Sequence, residues 1–222
     1  MSTRPLVLIG GGEHAAVVAE AARLAEPGRA LAGFIDVRPL GHGAHRAALP
    51  WLGDDLEGLR LARAGHHDFI VAVGAVGLYP TRRAIAERYA GAGARFVPVI
   101  HPRAIVSDNV RVGPGALILA GAVVGCGAVL GAHCLINSAA VVEHDVALGD
   151  HTILGPSAVV GGGTRVGADS FLGLGCRVRD HVQIGARVVL AMGAVLVGNA
   201  NDDAVMMGVP ARVREARHAT RS

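Results

Sequence analysis

The sequence predicts two architectures in one chain. A parallel α/β unit occupies residues 1–100, a parallel β-helix residues 101–210, and a basic tail residues 211–222. Three observations predict this. Every sixth residue from Val106 to Leu196 is aliphatic. Strand-like and helix-like segments alternate before that point. The composition is 51% hydrophobic but only 3% aromatic, with 32 Gly among 222 residues. That mixture describes a core of Ala, Val, Leu and Ile with many tight turns, and its apolar content argues against disorder.

In the N-terminal third, "PLVLIG" reads as a buried strand and "GGGEHAAVVAEAARLA" as a Gly-rich turn opening an Ala-rich helix. "ALAGFID" is a second strand ending at Asp36. A helix over 54–64, a strand over 68–74, a helix over 81–92 and a strand over 95–100 follow. Gly10, Gly12 and Ala15 fit G-x-G-x-x-A between a strand and a helix, the Rossmann-like fingerprint. Such a turn, with Gly11 between its glycines, brings backbone N–H groups and a helix N-terminus against phosphate. Asp36 stands where a carboxylate accepts hydrogen bonds from a ribose, and His14 lies beside the loop. The unit is short for both halves of a dinucleotide, so a mononucleotide or nucleotide-sugar fits better than NAD.

From Val106 onward the repeat sets the structure. Four residues after each aliphatic the side chain is small or β-branched, from Val110 through Cys134 to Ala194. A period of six spreads apolar residues around every side of a helix, so helix is excluded. In short strands the small residue and the aliphatic two later both point inward, and the residue between points out. The residue after the aliphatic is most often Gly, which tolerates the backbone angles of a turn. Three strands close a triangular coil. Residues 106–195 hold fifteen hexads and therefore five coils. The uncharged stretch 115–136 is long enough to span a bilayer, but its Gly and Ala keep the six-residue phase, so it reads as coils and not as a membrane helix.

The net charge of +3 is scattered, with no basic stripe or interleaved aromatics, which argues against nucleic acid. Cys126, Cys134 and Cys176 form no CxxC pair and suggest neither a disulfide framework nor a zinc site. The N-terminus enters its first strand without a leader, and a reduced, cytoplasmic protein is expected.

The six-residue pattern resembles that of the left-handed parallel β-helix, and the handedness comes from that resemblance. "IGGGEHA", "FID", "VIHPRAIVS", "EHD" and the closing "VLVGNANDDAVMMGVPARV" together resemble the sialic acid O-acetyltransferase-like and nucleotide-sugar N-acetyltransferase family, including bacillosamine and perosamine N-acetyltransferases. The resemblance covers nearly the whole chain. It implies a homotrimer, acetyl-CoA in the groove between neighbouring prisms, and a nucleotide-sugar on the N-terminal domain. It implies His144 as catalytic histidine, Asp145 as the acidic residue following it, and the Gly162 N–H as oxyanion donor. Related enzymes carry a second histidine about nine residues after the first. That position is Ile153 here, and the nearest histidine is His151.

Glu143, His144 and Asp145 interrupt the repeat where Gly is usual. By phase they sit on a turn and point away from the core, so they cost little packing. Acyl transfer from a thioester requires the attacking amine or hydroxyl to lose a proton, which suits histidine near neutral pH. A carboxylate, Asp145 first and Glu143 second, holds the tautomer. The expected activity is acetyl-CoA-dependent N-acetylation of a nucleotide-linked amino sugar by direct attack, with the cysteines structural. Sugar O-acetylation and a non-catalytic trimeric binding protein are the alternatives. His133, His151 and His181 also fall on turns, and prisms resembling γ-class carbonic anhydrases hold zinc on three histidines. The spacing of seven from His144 to His151 does not match a ligand pair, so no metal is expected. The Arg-rich tail could reach the CoA phosphates.

Overall fold

The computed structural model describes residues 4–39, 42–74 and 80–214. The end of the basic tail, residues 215–222, lies outside the described residues. In the N-terminal unit, β1 (Leu6–Ile9) leads into α1 (Glu13–Ala25), then β2 (Leu31–Ile35), α2 (His42–Arg46) and β3 (Trp51–Gly53). Next come α3 (Asp55–Ala64), β4 (Asp68–Val71), α4 (Pro80–Gly91) and β5 (Arg95–Phe96). The strands form one parallel sheet in the order β3-β2-β1-β4-β5. β3 and α2 were not expected. A three-residue strand after Pro50 and a five-residue helix are too short to show periodicity.

The strand expected over 95–100 is divided. Arg95–Phe96 pairs with β4, while Val99–Ile100 pairs with Leu117–Ile118 of the second unit. Pro98, which has no N–H, stands between the two pieces. Ile100 is in the six-residue phase, so the coils begin one strand earlier than expected.

The second unit is a stack of triangular coils built from two-residue strands, each paired in parallel with the strand 18 residues on, as Val123 is with Val141. Inward residues such as Ile118, Val124, Leu130, Ile136, Val142 and Leu154 are at most 2% exposed and form one continuous core. Burying each contributes roughly 1.5–3 kcal/mol. The regularity ends after Leu196, where Val205 returns above Val189 in 16 residues.

The repeating Gly has a different cause from the one expected. The left-handed residue of each turn is two positions later, and it is often not Gly: His133 (φ 57), Asp145 (φ 58), His151 (φ 59) and His181 (φ 54). Gly125, by contrast, has no positive φ. A Cβ there would lie 2.7 Å from the backbone N of His144 in the next coil. Gly161 faces the N of Asp180 at 2.5 Å in the same way. The repeat Gly therefore permits close stacking of coils.

The three faces of the prism differ in their outward residues. On one, Leu117, Leu135, Ile153 and Phe171 are buried under α1 and β1 of the N-terminal unit, clustering with Leu6, Leu8 and Val18. A second bears Ile105, Val123, Val141, Val159, Arg177 and Val195. The third carries Arg111, Val129, Ala147, Arg165 and Gln183.

Polar groups also join the two units. Arg83 donates to Asp169 at 2.6 Å. His133 meets Phe96 edge-on at 4.5 Å and stacks on His151 at 5.0 Å with the rings 5° apart. Arg82 is buried and donates from Nη1 to the carbonyls of Val71 and Val73, 3.0 Å each. Burial lowers its pKa to about 10. Burial, with His151 and Arg82 adding to it, lowers His133 to about 4. His151 is lowered as well, mainly by burial. These imidazoles are neutral when folded and protonate near 6.5 when unfolded. The His133 contribution is full above pH 6.5 and is lost as pH falls toward 4, and that of His151 weakens in the same direction. Urea unfolding at pH 7.5 and pH 5 checks this. His133→Phe, which keeps an aromatic ring in the stack, should lose less stability on acidification than the wild type; equal losses would contradict the assignment.

Candidate active site

His144 and Asp145 form one corner of the prism, between the strands Val141–Val142 and Ala147–Leu148. The backbone of this corner is fixed from both sides. The Asp145 N–H donates to Cys126 O below, and the Gly163 N–H donates to His144 O above, both at 2.9 Å. Asp145 takes the left-handed conformation that Asp tolerates better than most residues. Its Oδ2 lies 3.0 Å from His144 Nδ1. A carboxylate accepts here, so Nδ1 carries the proton and Nε2 holds the lone pair. This hydrogen bond raises the His144 pKa above its ordinary value; desolvation opposes it, and the charges of Asp145 and then Glu143 add smaller upward contributions.

The face of the imidazole lies over Gly162. A Cβ at that position would lie 2.5 Å from His144 Nε2. Among the described residues the Gly162 N–H donates to no protein acceptor. A proton acceptor and an unused backbone donor therefore share one glycine-floored notch. Glu143, His144 and Asp145 are all exposed in the single chain. Cys126 is exposed on the coil below. Cys134 and Cys176 are buried, and burial pushes both thiols up to about 12, which suits packing and not nucleophilic chemistry.

The glycine-rich turn after β1 builds a second site, a cavity of about 680 Å³ lined by Gly10, Gly12, Glu13, His14, Asp36, Ala72, Val73, Gly74, Thr81, Leu135 and Asn137. Gly10 has φ 106, and a Cβ there would sit 2.7 Å from Val73 Cγ2. Gly12 is open, with nothing within 4 Å of a Cβ, so it leaves room for a ligand. The short helix α2 clamps the turn. Ala44 N–H donates to Gly11 O at 3.1 Å. A Cβ on Gly43 would overlap Gly12 O at 1.9 Å. Asp36 Oδ2 accepts the Gly11 N–H at 2.7 Å, so that amide is engaged with Asp36. The carboxylate keeps lone pairs for a ribose hydroxyl. His14 Nε2 is buried and has no partner among the described residues. Burial, then the charge of Arg82, lowers its pKa to about 4, so it is neutral at pH 7.

The structure therefore brings together His144, Asp145 and Gly162 at one place, with Glu143 opening the turn. It brings Gly10, Gly12, His14 and Asp36 together at another, with Gly11 tied to Asp36. His151 belongs to neither group. It lies on the next corner, stacked on His133 toward the N-terminal unit. Ile153 is buried beneath that unit at 7% exposure. Asn137 and Leu135 are residues that sequence reasoning missed. Asn137 Nδ2 donates to Leu154 O at 2.7 Å, which fixes the amide at the cavity edge. A signal existed: like Glu143, Asn137 follows the aliphatic where Gly is usual.

Residues 5–89 match the PglD N-terminal domain family, and residues 127–162 match the bacterial transferase hexapeptide (six repeats) family. A perosamine N-acetyltransferase from Caulobacter crescentus, solved with CoA and GDP-perosamine, is 35% identical. The match covers 96% of this chain and 97% of that one, with a TM-score of 0.85. This chain belongs to the hexapeptide-repeat nucleotide-sugar N-acetyltransferases. The acetyltransferase domain of PglB from Neisseria gonorrhoeae FA1090, solved with acetyl coenzyme A, is 34% identical over 96% of this chain and 100% of that one, at TM-score 0.85. WeeI from Acinetobacter baumannii AYE, 20% identical at TM-score 0.77 over 96% of this chain and 100% of that one, shares the fold. Comparison with curated protein sequences gave no match.

In this N-acetyltransferase chain the contact between His144 and Gly162 makes a specific demand. Gly162→Ala keeps the backbone N–H but pushes the imidazole out of the notch. The substitution should lower kcat at least tenfold while the melting temperature stays within about 3 °C, since only an exposed side chain must move. Melting curves and steady-state kinetics check this; an unchanged kcat would remove His144 from the notch.

Proposed function

We propose that the chain transfers an acetyl group from acetyl-CoA to the amino group of a nucleotide-linked amino sugar, as a cytoplasmic homotrimer. The observation that carries this reading is the pairing of His144 Nε2 with the unused Gly162 N–H in one notch. The amine attacks the thioester carbon, and a C–N bond forms. Nε2 takes the amine proton, and Asp145 steadies the resulting imidazolium through Nδ1. The Gly162 N–H receives the charge that develops on the thioester oxygen. The C–S bond then breaks, and the proton passes from the imidazolium to the departing thiolate of CoA. Neither a covalent enzyme intermediate nor a metal takes part in these steps. Gly10, Gly12, His14, Asp36 and Asn137 hold the nucleotide-sugar, with the helix N-terminus toward its phosphates. The GDP-perosamine and CoA bound by the Caulobacter relative support this substrate class.

The prism itself favours an oligomer. Asn137 and His144 stand at opposite ends of the strand Val141–Val142, on the order of 20 Å apart for seven extended residues. The face between them carries the row Ile105, Val123, Val141, Val159 and Val195, with Arg177 its single charged side chain. A second copy on this face covers the apolar row and sets one protomer's sugar site beside the other's His144. The burial this gives suits the chemistry of an otherwise exposed imidazole. Free thiols accord with a reducing compartment. Among the described residues no helix is long and apolar enough to cross a membrane.

The test is CoA release, followed with a thiol reagent, against GDP- and UDP-linked 4-amino sugars and their 4-hydroxy analogues. Turnover should require the amine, and His144→Ala should lower kcat by about 10²–10⁴. Turnover only with hydroxyl acceptors would indicate O-acetylation. Full activity in His144→Ala would remove the proposed base. No turnover and no thermal shift with acetyl-CoA would leave a binding protein.

A further inference from the structure

Two turns of this prism have their middle amide capped by an Asp on the coil above. The Ala132 N–H donates to Asp150 Oδ1, 18 residues on, at 2.7 Å. Ala186 N–H donates to Asp202 Oδ1 at 3.0 Å, where the coil has shortened to 16 residues. In both cases an Asp on the coil above caps the middle amide of the turn below. Asp180 stands in that same place above Gly162. In the manner of Asp150 and Asp202 it would cap the Gly162 N–H, yet that amide is unused among the described residues. The Asp180 carboxylate instead points toward His181, with Oδ2 4.0 Å from Nε2, a charge-pair separation and not a hydrogen bond.

His181 is held for this task from two sides. Its backbone is fixed in the left-handed conformation, φ 54, and its N–H donates to Gly162 O at 2.8 Å. Its ring covers Gly163, where a Cβ would lie 2.5 Å from Nδ1. Gly162 and Gly163 are thus overlaid by two imidazoles, His144 from the coil below and His181 from the coil above.

We propose that His181 is a positioning residue that draws Asp180 aside and keeps the Gly162 N–H free for the thioester oxygen. This rests on the reading of that amide as the oxyanion donor. Without His181 the carboxylate falls into the capping position used elsewhere in the prism. It then occupies the donor and also places a negative charge beside the site where negative charge must develop. Both effects slow the chemical step and neither touches the sugar site.

The experiment is a double-mutant cycle with kinetics and crystal structures. His181→Ala should lower kcat by about fivefold, the worth of one ordinary hydrogen bond, with the KM for the sugar unchanged. The coupling between His181 and Asp180 is then read from the other variants. Asp180→Ala should keep at least wild-type kcat, and His181→Ala combined with Asp180→Ala should recover it. His181→Gln, which keeps a polar side chain over Gly163, should stay within about twofold of wild type and serves if the alanine variant folds poorly. The His181→Ala crystal structure should show Asp180 within hydrogen-bond distance of the Gly162 N. A double variant as slow as His181→Ala, or Asp180 still turned away in that structure, would overturn the proposal. The structural arm does not depend on turnover. Loss of the general reading would show instead as full activity in His144→Ala, whatever Asp180 does.

Discussion

Eighteen residues bring this chain back above itself, and the parallel hydrogen bonds between coils hold that register over the length of the prism. The register decides which residues become neighbours. It stacks Cys126, His144, Gly162 and Asp180 on one corner, and Gly127, Asp145, Gly163 and His181 beside them. The chemistry proposed for the corner depends on this stacking. A base on one coil meets a backbone donor on the next only because successive coils cannot slip. A slip by one residue would exchange inward and outward side chains and empty the core.

The same constraint explains why the repeat gives up its Gly at Glu143. Coils approach so closely that a Cβ at Gly125 or Gly161 would strike the backbone above it. Along this corner Gly alternates with larger residues, in the order Gly125, Glu143, Gly161, Arg179. Glu143 is flanked by glycine on the coils below and above, Gly125 and Gly161. Reactive groups can be carried there without disturbing the aliphatic column, which lies on the inward positions. Stability and chemistry are thus assigned to different phases of one six-residue unit.

Much of this was legible in the sequence, because a strict period of six admits few folds. The corner position of Glu143, His144 and Asp145 followed from phase alone. Other features were missed for identifiable reasons. The outward residues Leu117, Leu135, Ile153 and Phe171 recur every 18 residues and announce a covered face, but they show only when the sequence is read by coil and not by hexad. His151 drew notice because it is near His144 along the chain, whereas nearness in a prism is counted in coils, which leads to Gly162 and His181. Helix α2, which clamps the glycine turn through Gly43, is too short for any periodic signal. The buried Arg82 at the junction gave no sequence sign either, because its role is set by the carbonyls at the end of β4.

The central claim is that an imidazole and a backbone amide in one corner notch handle the proton and the charge of acyl transfer. The most direct measurement is a crystal structure of the protein with a non-hydrolysable acetyl-CoA analogue and a nucleotide-linked 4-amino sugar. The account predicts the sugar amine within hydrogen-bond reach of His144 Nε2 and the thioester-equivalent oxygen on the Gly162 N–H, in a groove completed by a second protomer. An acyl carbonyl bound elsewhere, or a sugar amine directed away from His144 in every protomer, would contradict it.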